Sequence, residues 1–231
     1  MIRGIVFDKD GTLFDFRASW GRWAQGFLTQ IARDDAHARQ LAAAIGYLPD
    51  TNNFDPSSPV IAGTAKEIAG ALLPHLEGHT LESLTQQIDA VATGVPMSEA
   101  VPLRALFEEF RARGLKLGVA TNDSEIPARA HLERHGLTDL LDFIAGWDSG
   151  HGAKPGPGMC LAFATATGLD PAEVLMVGDS LHDLHAGQAA GMRPIAVLTG
   201  IAGEADLAPH AEVVLADIGG LPAWMDAQVA R

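Results

Sequence analysis

Short apolar runs separated by amphipathic stretches set the rhythm of this chain. Ile5-Val6-Phe7, Leu115 to Ala120, Phe143 to Ala145, Val174 to Val177, Pro194 to Leu198 and Val213 to Leu215 each read as strands. Between them apolar residues recur at helical spacing. Leu103, Leu106, Phe107 and Phe110 form one such stripe, ending near Gly114, and a segment starting at Ser124 ends near Gly136. Pro157 to Thr167 predicts a helix with Gly168 just beyond it, and Asp183 to Ala190 another that stops at Gly191. Strand and helix in alternation predict an α/β fold, a largely parallel sheet covered by helices.

The stretch from about residue 16 to residue 95 breaks this rhythm. Trp20, Trp23 and Phe27 fall at helical spacing; Thr64 and Glu67 make a capping-box pattern ahead of Ile68, Leu72 and Leu76; Leu81, Leu84, Ile88 and Val91 form a further stripe. The aromatic stripe predicts core rather than ligand lining. No strand run stands out here. Asp50 to Pro59 reads as a polar, proline-containing loop, and Thr93-Gly94-Val95-Pro96 as a return hinge. The expected organisation is therefore a core of residues 1–15 and 96–231 with an inserted helical domain over 16–95.

Composition supports a folded, globular chain: of 231 residues 47% are hydrophobic and 19% charged. The net charge of -13 argues against a nucleic-acid surface, which needs clustered Lys and Arg to neutralise phosphates. An anionic substrate must be handled locally. The single cysteine, Cys160, excludes an intramolecular disulfide, and its apolar surroundings predict a buried small residue rather than a nucleophile. No 18-residue apolar span or signal-peptide pattern is visible, so a reducing, cytoplasmic setting without membrane contact is expected. Self-association is left open.

Chemistry concentrates at strand ends. The first strand stops at Asp8-Lys9-Asp10-Gly11-Thr12. Period-two alternation would send Asp8 and Asp10 to one side and Lys9 away, with Gly11 turning the backbone. Two converging carboxylates suit covalent reaction at phosphorus, one as nucleophile and one exchanging protons, and would attract a hard divalent cation. An EF-hand loop is excluded, because glycine stands fourth rather than sixth and the twelfth residue is Ser19 rather than Glu. Three other strands are followed by Thr121-Asn122-Asp123, by the loop holding Lys154, and by Asp179 and Asp183. Open parallel sheets gather ligands outside the carboxyl ends of their strands, so these residues are expected to share one site.

In this order the chain resembles phosphatases of the haloacid dehalogenase superfamily, particularly phosphoglycolate phosphatase-like members with a helical cap. Asp8-Lys9-Asp10-Gly11-Thr12-Leu13, Val119-Ala120-Thr121-Asn122, Lys154-Pro155-Gly156-Pro157 and Val177-Gly178-Asp179-Ser180-Leu181-His182-Asp183 carry the resemblance, with Ala189-Ala190-Gly191-Met192 after them. It implies a Rossmann-like parallel sheet core, an α-helical cap, and Mg²⁺-dependent hydrolysis of a small phosphorylated metabolite through an aspartyl-phosphate. Asp8 would be the nucleophile and Asp10 the acid and base. Thr121, with a backbone N–H around Asn122, and Lys154 would hold the phosphate. Asp8, the Asp10 backbone carbonyl and Asp179 would hold Mg²⁺, and Asp183 would orient that shell.

Two other functions follow from the same residues: a sugar-phosphate mutase using the same intermediate, and a non-enzymatic phosphoacceptor module. The second fits poorly, because a receiver-like module places its acceptor after a middle strand and lacks so large an insertion. The helical segment would act as a lid. Arg17 and Arg22 are its cations nearest the motif, suited either to a second anionic group on the substrate or to plain solvation. Trp147, Asp148 and His151 shape either the entrance or an ordinary loop.

Overall fold

The computed structural model describes residues 1–229. Along the chain run β1 (Gly4–Phe7), α1 (Phe16–Ile31), α2 (Asp35–Ala44), β2 (Tyr47–Leu48), β3 (Asn53–Phe54), α3 (Pro59–Ala62), α4 (Ala65–Leu72) and α5 (Leu81–Thr93). There follow α6 (Leu103–Ala112), β4 (Lys116–Ala120), α7 (Glu125–Arg134), β5 (Phe143–Ala145), α8 (Gly158–Thr167), β6 (Val174–Gly178) and α9 (Leu181–Ala190). The last elements are β7 (Arg193–Val197), α10 (Glu204–Leu207), β8 (Val213–Leu215) and α11 (Leu221–Val229).

Six strands form one sheet in the order β5-β4-β1-β6-β7-β8, and every pairing is parallel. This is the predicted α/β architecture. β1 and β6 are buried at every position, as strands covered by helices on both faces must be. On one face Phe7 stacks on Phe107 and Phe110 of α6, at centroid distances of 5.2 and 6.1 Å. On the other, Val6 and Met176 pack with Met159, Cys160 and Phe163 of α8. Cys160 is thus the buried packing residue its sequence context predicts, and burial pushes its thiol up to about 12.

Register decides where the chemistry sits. Phe7 lies level with Val119 of β4 and Val177 of β6, so Asp8, Thr121 and Asp179 emerge at one edge of the sheet. Helices α8 and α9 end as their glycines predict, with Gly168 and Gly191 in the left-handed conformation.

Residues 16 to 93 contribute the helices α1 to α5, and two corrections apply to them. Tyr47-Leu48 and Asn53-Phe54 pair antiparallel as a small hairpin where no strand was expected, because two-residue strands leave no period to read. Tyr47 Oη donates to Asn52 Oδ1 across its turn at 2.8 Å. The capping box of Thr64 and Glu67 forms as predicted, but α4 ends at Leu72 rather than reaching Leu76. Pro74 has no N–H to continue the α-helical ladder, and Leu73 to His75 tighten into a 3₁₀ turn. Trp20, Trp23 and Phe27 are buried, with Trp23 and Phe27 stacked at 5.3 Å. They belong to the apolar cluster that includes Ile5 and Phe7, so these helices pack continuously with one face of the sheet.

Candidate active site

The site begins where β1 ends. Gly11 N–H donates to the Phe14 carbonyl, and the N–H groups of Leu13 and Phe14 both donate to the Lys9 carbonyl, closing a tight loop after Asp8. Gly11 sits at φ +83°, and a Cβ there would lie 2.5 Å from the Asp179 carboxyl carbon. Glycine is therefore needed both for the turn and for the approach of Asp179.

Lys154 reaches this loop from the segment before α8. Its Nζ lies 2.6 Å from Asp8 Oδ1 and 2.6 Å from Asp183 Oδ1, with all three side chains buried. The two carboxylates hold the Lys154 ammonium above its ordinary range despite burial. Asn122 fixes the backbone that carries it: Lys154 N–H donates to Asn122 Oδ1 at 2.8 Å, and Asn122 Nδ2 donates to the Lys154 carbonyl at 2.9 Å. Asn122 Nδ2 also reaches the carbonyl of Ala62 in α3, at 2.7 Å. Thr121 is buried beside it, and its Oγ1 accepts from Asp123 N–H at 3.0 Å.

Asp8, Asp179 and Asp183 each bring a carboxylate oxygen within 4.8 Å of the others. Burial pushes Asp8 up to about 7, against the pull of Lys154. Asp179 stands well above the usual carboxylate range, first through burial and then through the charges of Asp183 and Asp8. Its carboxylate receives Thr12 Oγ1 at 3.3 Å and packs against Gly200, where a Cβ would come within 1.7 Å. Buried, electron-rich oxygens short of positive charge fit a hard divalent cation such as Mg²⁺. Asp183 differs from the other two. Its Oδ1 takes Lys154, while Oδ2 accepts Ser180 N–H at 3.0 Å and Ser180 Oγ at 2.7 Å, so both oxygens are committed at the start of α9. That suits orientation rather than direct ligation.

A family model for haloacid dehalogenase-like hydrolases matches residues 2–191. The chain belongs to that family. A phosphoglycolate phosphatase of Yersinia pestis is 29% identical over 247 residues, spanning 99% of this chain and 97% of the relative. A phosphoglycolate phosphatase of Rhodospirillum rubrum is 36% identical over 121 residues, 52% of this chain and 50% of its own length. Among solved structures, a predicted phosphoglycolate phosphatase from Haemophilus somnus superposes with TM-score 0.72 at 19% identity, covering 97% of this chain and 98% of that one. A β-phosphoglucomutase from Clostridium difficile gives 0.66 at 16% identity over the full length of both. At such identities these two likenesses speak for the fold alone.

In this haloacid dehalogenase-like hydrolase, Lys9 does not point away from Asp10. The chain leaves extended geometry after Phe7, so the alternation stops before Lys9. Its fully buried Nζ turns back onto Asp10, 2.8 Å from Oδ1 and 2.7 Å from Oδ2, and lies 5.6 Å above the Trp20 ring. Asp123 Oδ2 is 3.1 Å away, held by charge rather than by an aligned hydrogen bond. His131 Nδ1, 3.2 Å from Nζ, must accept, and Nε2 therefore carries the proton that it donates to the Ala92 carbonyl at 2.9 Å. Burial, with Lys9 adding to it, pushes His131 down to about 4, and burial raises Asp123 to about 6 against the pull of Lys9. A lysine flanked by two acids was the available signal; Asp123 was legible beside Thr121 and Asn122, but its pairing with Lys9 and the part played by His131 emerge only from the fold.

Above Asp8 and Asp10 lies a small cavity of about 40 Å³. Thr121, Lys154 and Asp183 line it from the sheet side, and Trp20, Val60, Ile61, Ile68, Ile88 and Ala92 from the helices. Arg17 is turned elsewhere, donating to the Gly200 carbonyl at 3.0 Å, and Arg22 is exposed; neither lines the cavity. The segment before Lys154 packs as a loop: Trp147 Nε1 donates to Ser124 Oγ at 3.0 Å, Asp148 Oδ1 accepts Glu125 N–H at 2.8 Å at the start of α7, and the His151 ring sits 6.1 Å from that of Phe143. Among the described residues no helix is long and apolar enough to cross a membrane.

Proposed function

We propose that this chain is a phosphomonoester hydrolase that acts on a small phosphorylated metabolite in the cytoplasm, through an aspartyl-phosphate on Asp8 and with Mg²⁺ as cofactor. The observation that carries this reading is the buried Asp8 carboxylate at the floor of the cavity, 2.6 Å from Lys154 Nζ and close to Asp179. The phosphatase names of the full-length relatives support it.

In the first step an Asp8 oxygen attacks phosphorus, the bond from phosphorus to the departing alcohol breaks, and Asp10 gives that oxygen a proton. In the second step a water attacks the same phosphorus, Asp10 takes its proton, the bond to Asp8 breaks, and inorganic phosphate leaves. Thr121 Oγ and a backbone N–H around Asn122 hold a non-bridging oxygen, while Lys154 offsets negative charge on Asp8 and the phosphoryl group. Asp8, the Asp10 backbone carbonyl and Asp179 would hold Mg²⁺, which supplies positive charge beside the phosphoryl oxygens. Asp183 orients Lys154 and this shell. Residues 16–95 serve as a cap over a core of 1–15 and 96–231, excluding bulk water from the intermediate.

A mutase would return the phosphoryl group to a sugar hydroxyl. The helices offer a sugar an almost wholly apolar wall above Asp8, which favours hydrolysis. The test is phosphate release from a broad phosphomonoester panel with Mg²⁺, with Asp8→Asn protein as control. Release above the control supports the reading; isomeric sugar phosphate without release would favour the mutase, and silence across the panel would overturn both.

A further inference from the structure

The cavity above Asp8 has no cation to spare for its substrate's far end. Lys154 is shared between Asp8 and Asp183, and no other lysine or arginine lines the cavity among the described residues. Its roof is Trp20, Val60, Ile61, Ile68, Ile88 and Ala92. At about 40 Å³ it has room for little beyond the phosphoryl group. The rest of a substrate must extend into the adjoining cavity of about 580 Å³, which shares Ile61, Ser180 and His182 with the first. That volume suits a small organic group. Its further lining sets Leu181 and Ile201 beside Ser57 and Ser58; it holds no lysine or arginine among the described residues, and its acids are Glu67 and Asp206.

We infer that the departing alcohol is uncharged, such as a phenol or an aliphatic alcohol, and that the site rejects phosphomonoesters bearing a second anionic group. A carboxylate on the leaving group would leave bulk water for a lining that holds serine hydroxyls and the His182 side chain but no lysine or arginine to offset its charge. It would also pass two acids of like sign, a repulsive element that discriminates between partners. 2-Phosphoglycolate, the substrate that the relatives' names suggest, is among the esters so disfavoured. The inference rests on the phosphomonoesterase reading and deepens it.

The full-length protein with Mg²⁺ is assayed at pH 8, where ordinary imidazoles are neutral, on phenyl phosphate, 4-carboxyphenyl phosphate and 2-phosphoglycolate. The carboxylate makes the phenol a better leaving group, so intrinsic reactivity biases the aryl comparison against the proposal. We expect kcat/KM for 4-carboxyphenyl phosphate to be at least about tenfold below that for phenyl phosphate, with 2-phosphoglycolate lower still. Ile61→Lys should raise the ratio of carboxylated to plain aryl ester several-fold; if that variant does not fold, the wild-type ratio decides alone. Release from both aryl esters with a ratio near or above one, or with 2-phosphoglycolate preferred, overturns the selectivity and leaves the hydrolase reading intact. No release above the Asp8→Asn background overturns the hydrolase reading, and the selectivity with it.

Discussion

Lys9 puts a positive charge where no water reaches it, and Asp10, Asp123 and His131 share it. Removing one partner of such a group leaves the others buried and unpaired, which is costlier than never having built it. Lys9→Met, similar in volume, should therefore cost about 3–5 kcal/mol in chemical denaturation; a loss under about 1 kcal/mol would mean that the charges find water. His131 gives a pH signature. Its folded pKa of about 4 lies below the ordinary 6.5, so its contribution is complete above pH 6.5 and is lost as the pH falls toward 4. Asp8 and Asp123, raised in the fold, work in the opposite sense on acidification, so the signature must be read against a variant. The stability of wild type relative to His131→Gln should shrink by up to about 3 kcal/mol between pH 7 and pH 4. A gap that does not change with pH would contradict the buried neutral imidazole.

The turn between β4 and α7 ties three segments together, since Asn122 holds the Lys154 backbone from both sides and touches α3. Asn122→Ala leaves those polar groups unpaired and frees Lys154 to shift. A displacement of about 1 Å costs on the order of a hundredfold in rate, so kcat should fall by that order. A variant as fast as wild type would show that Lys154 needs no such clamp. At this scale much was legible in the sequence. β1, β4 and β6 read as apolar runs, Gly168 and Gly191 marked helix ends, and Thr64 with Glu67 announced α4. Strand ends with distinctive polar residues located Asp8, Thr121, Lys154 and Asp179 before any contact was known. The β2–β3 hairpin was not legible, because two residues per strand set no alternation. Lys9 departs from period-two alternation because β1 ends at Phe7, two residues before it. Asn122 was legible as a site residue, but its grip on Lys154 spans 32 positions and depends on tertiary structure.

Across the whole molecule, a parallel sheet brings residues from four distant segments to one edge, and helices of residues 16–93 line the cavity there from the other side. With a net charge of -13, and with Lys154 and Lys9 the only lysines buried among the described residues, a phosphate group would be attracted only where charge is locally arranged. The central claim is that Asp8 forms the bond to phosphorus. Acid quenching of the protein during turnover of phenyl phosphate with Mg²⁺, followed by mass spectrometry of the peptide containing Asp8, tests it most directly. The account predicts one phosphoryl group on Asp8 of the wild type, and neither adduct nor turnover in Asp8→Asn. Wild-type-like phosphate release by Asp8→Asn, or a phosphoryl group trapped on a different residue, would contradict it.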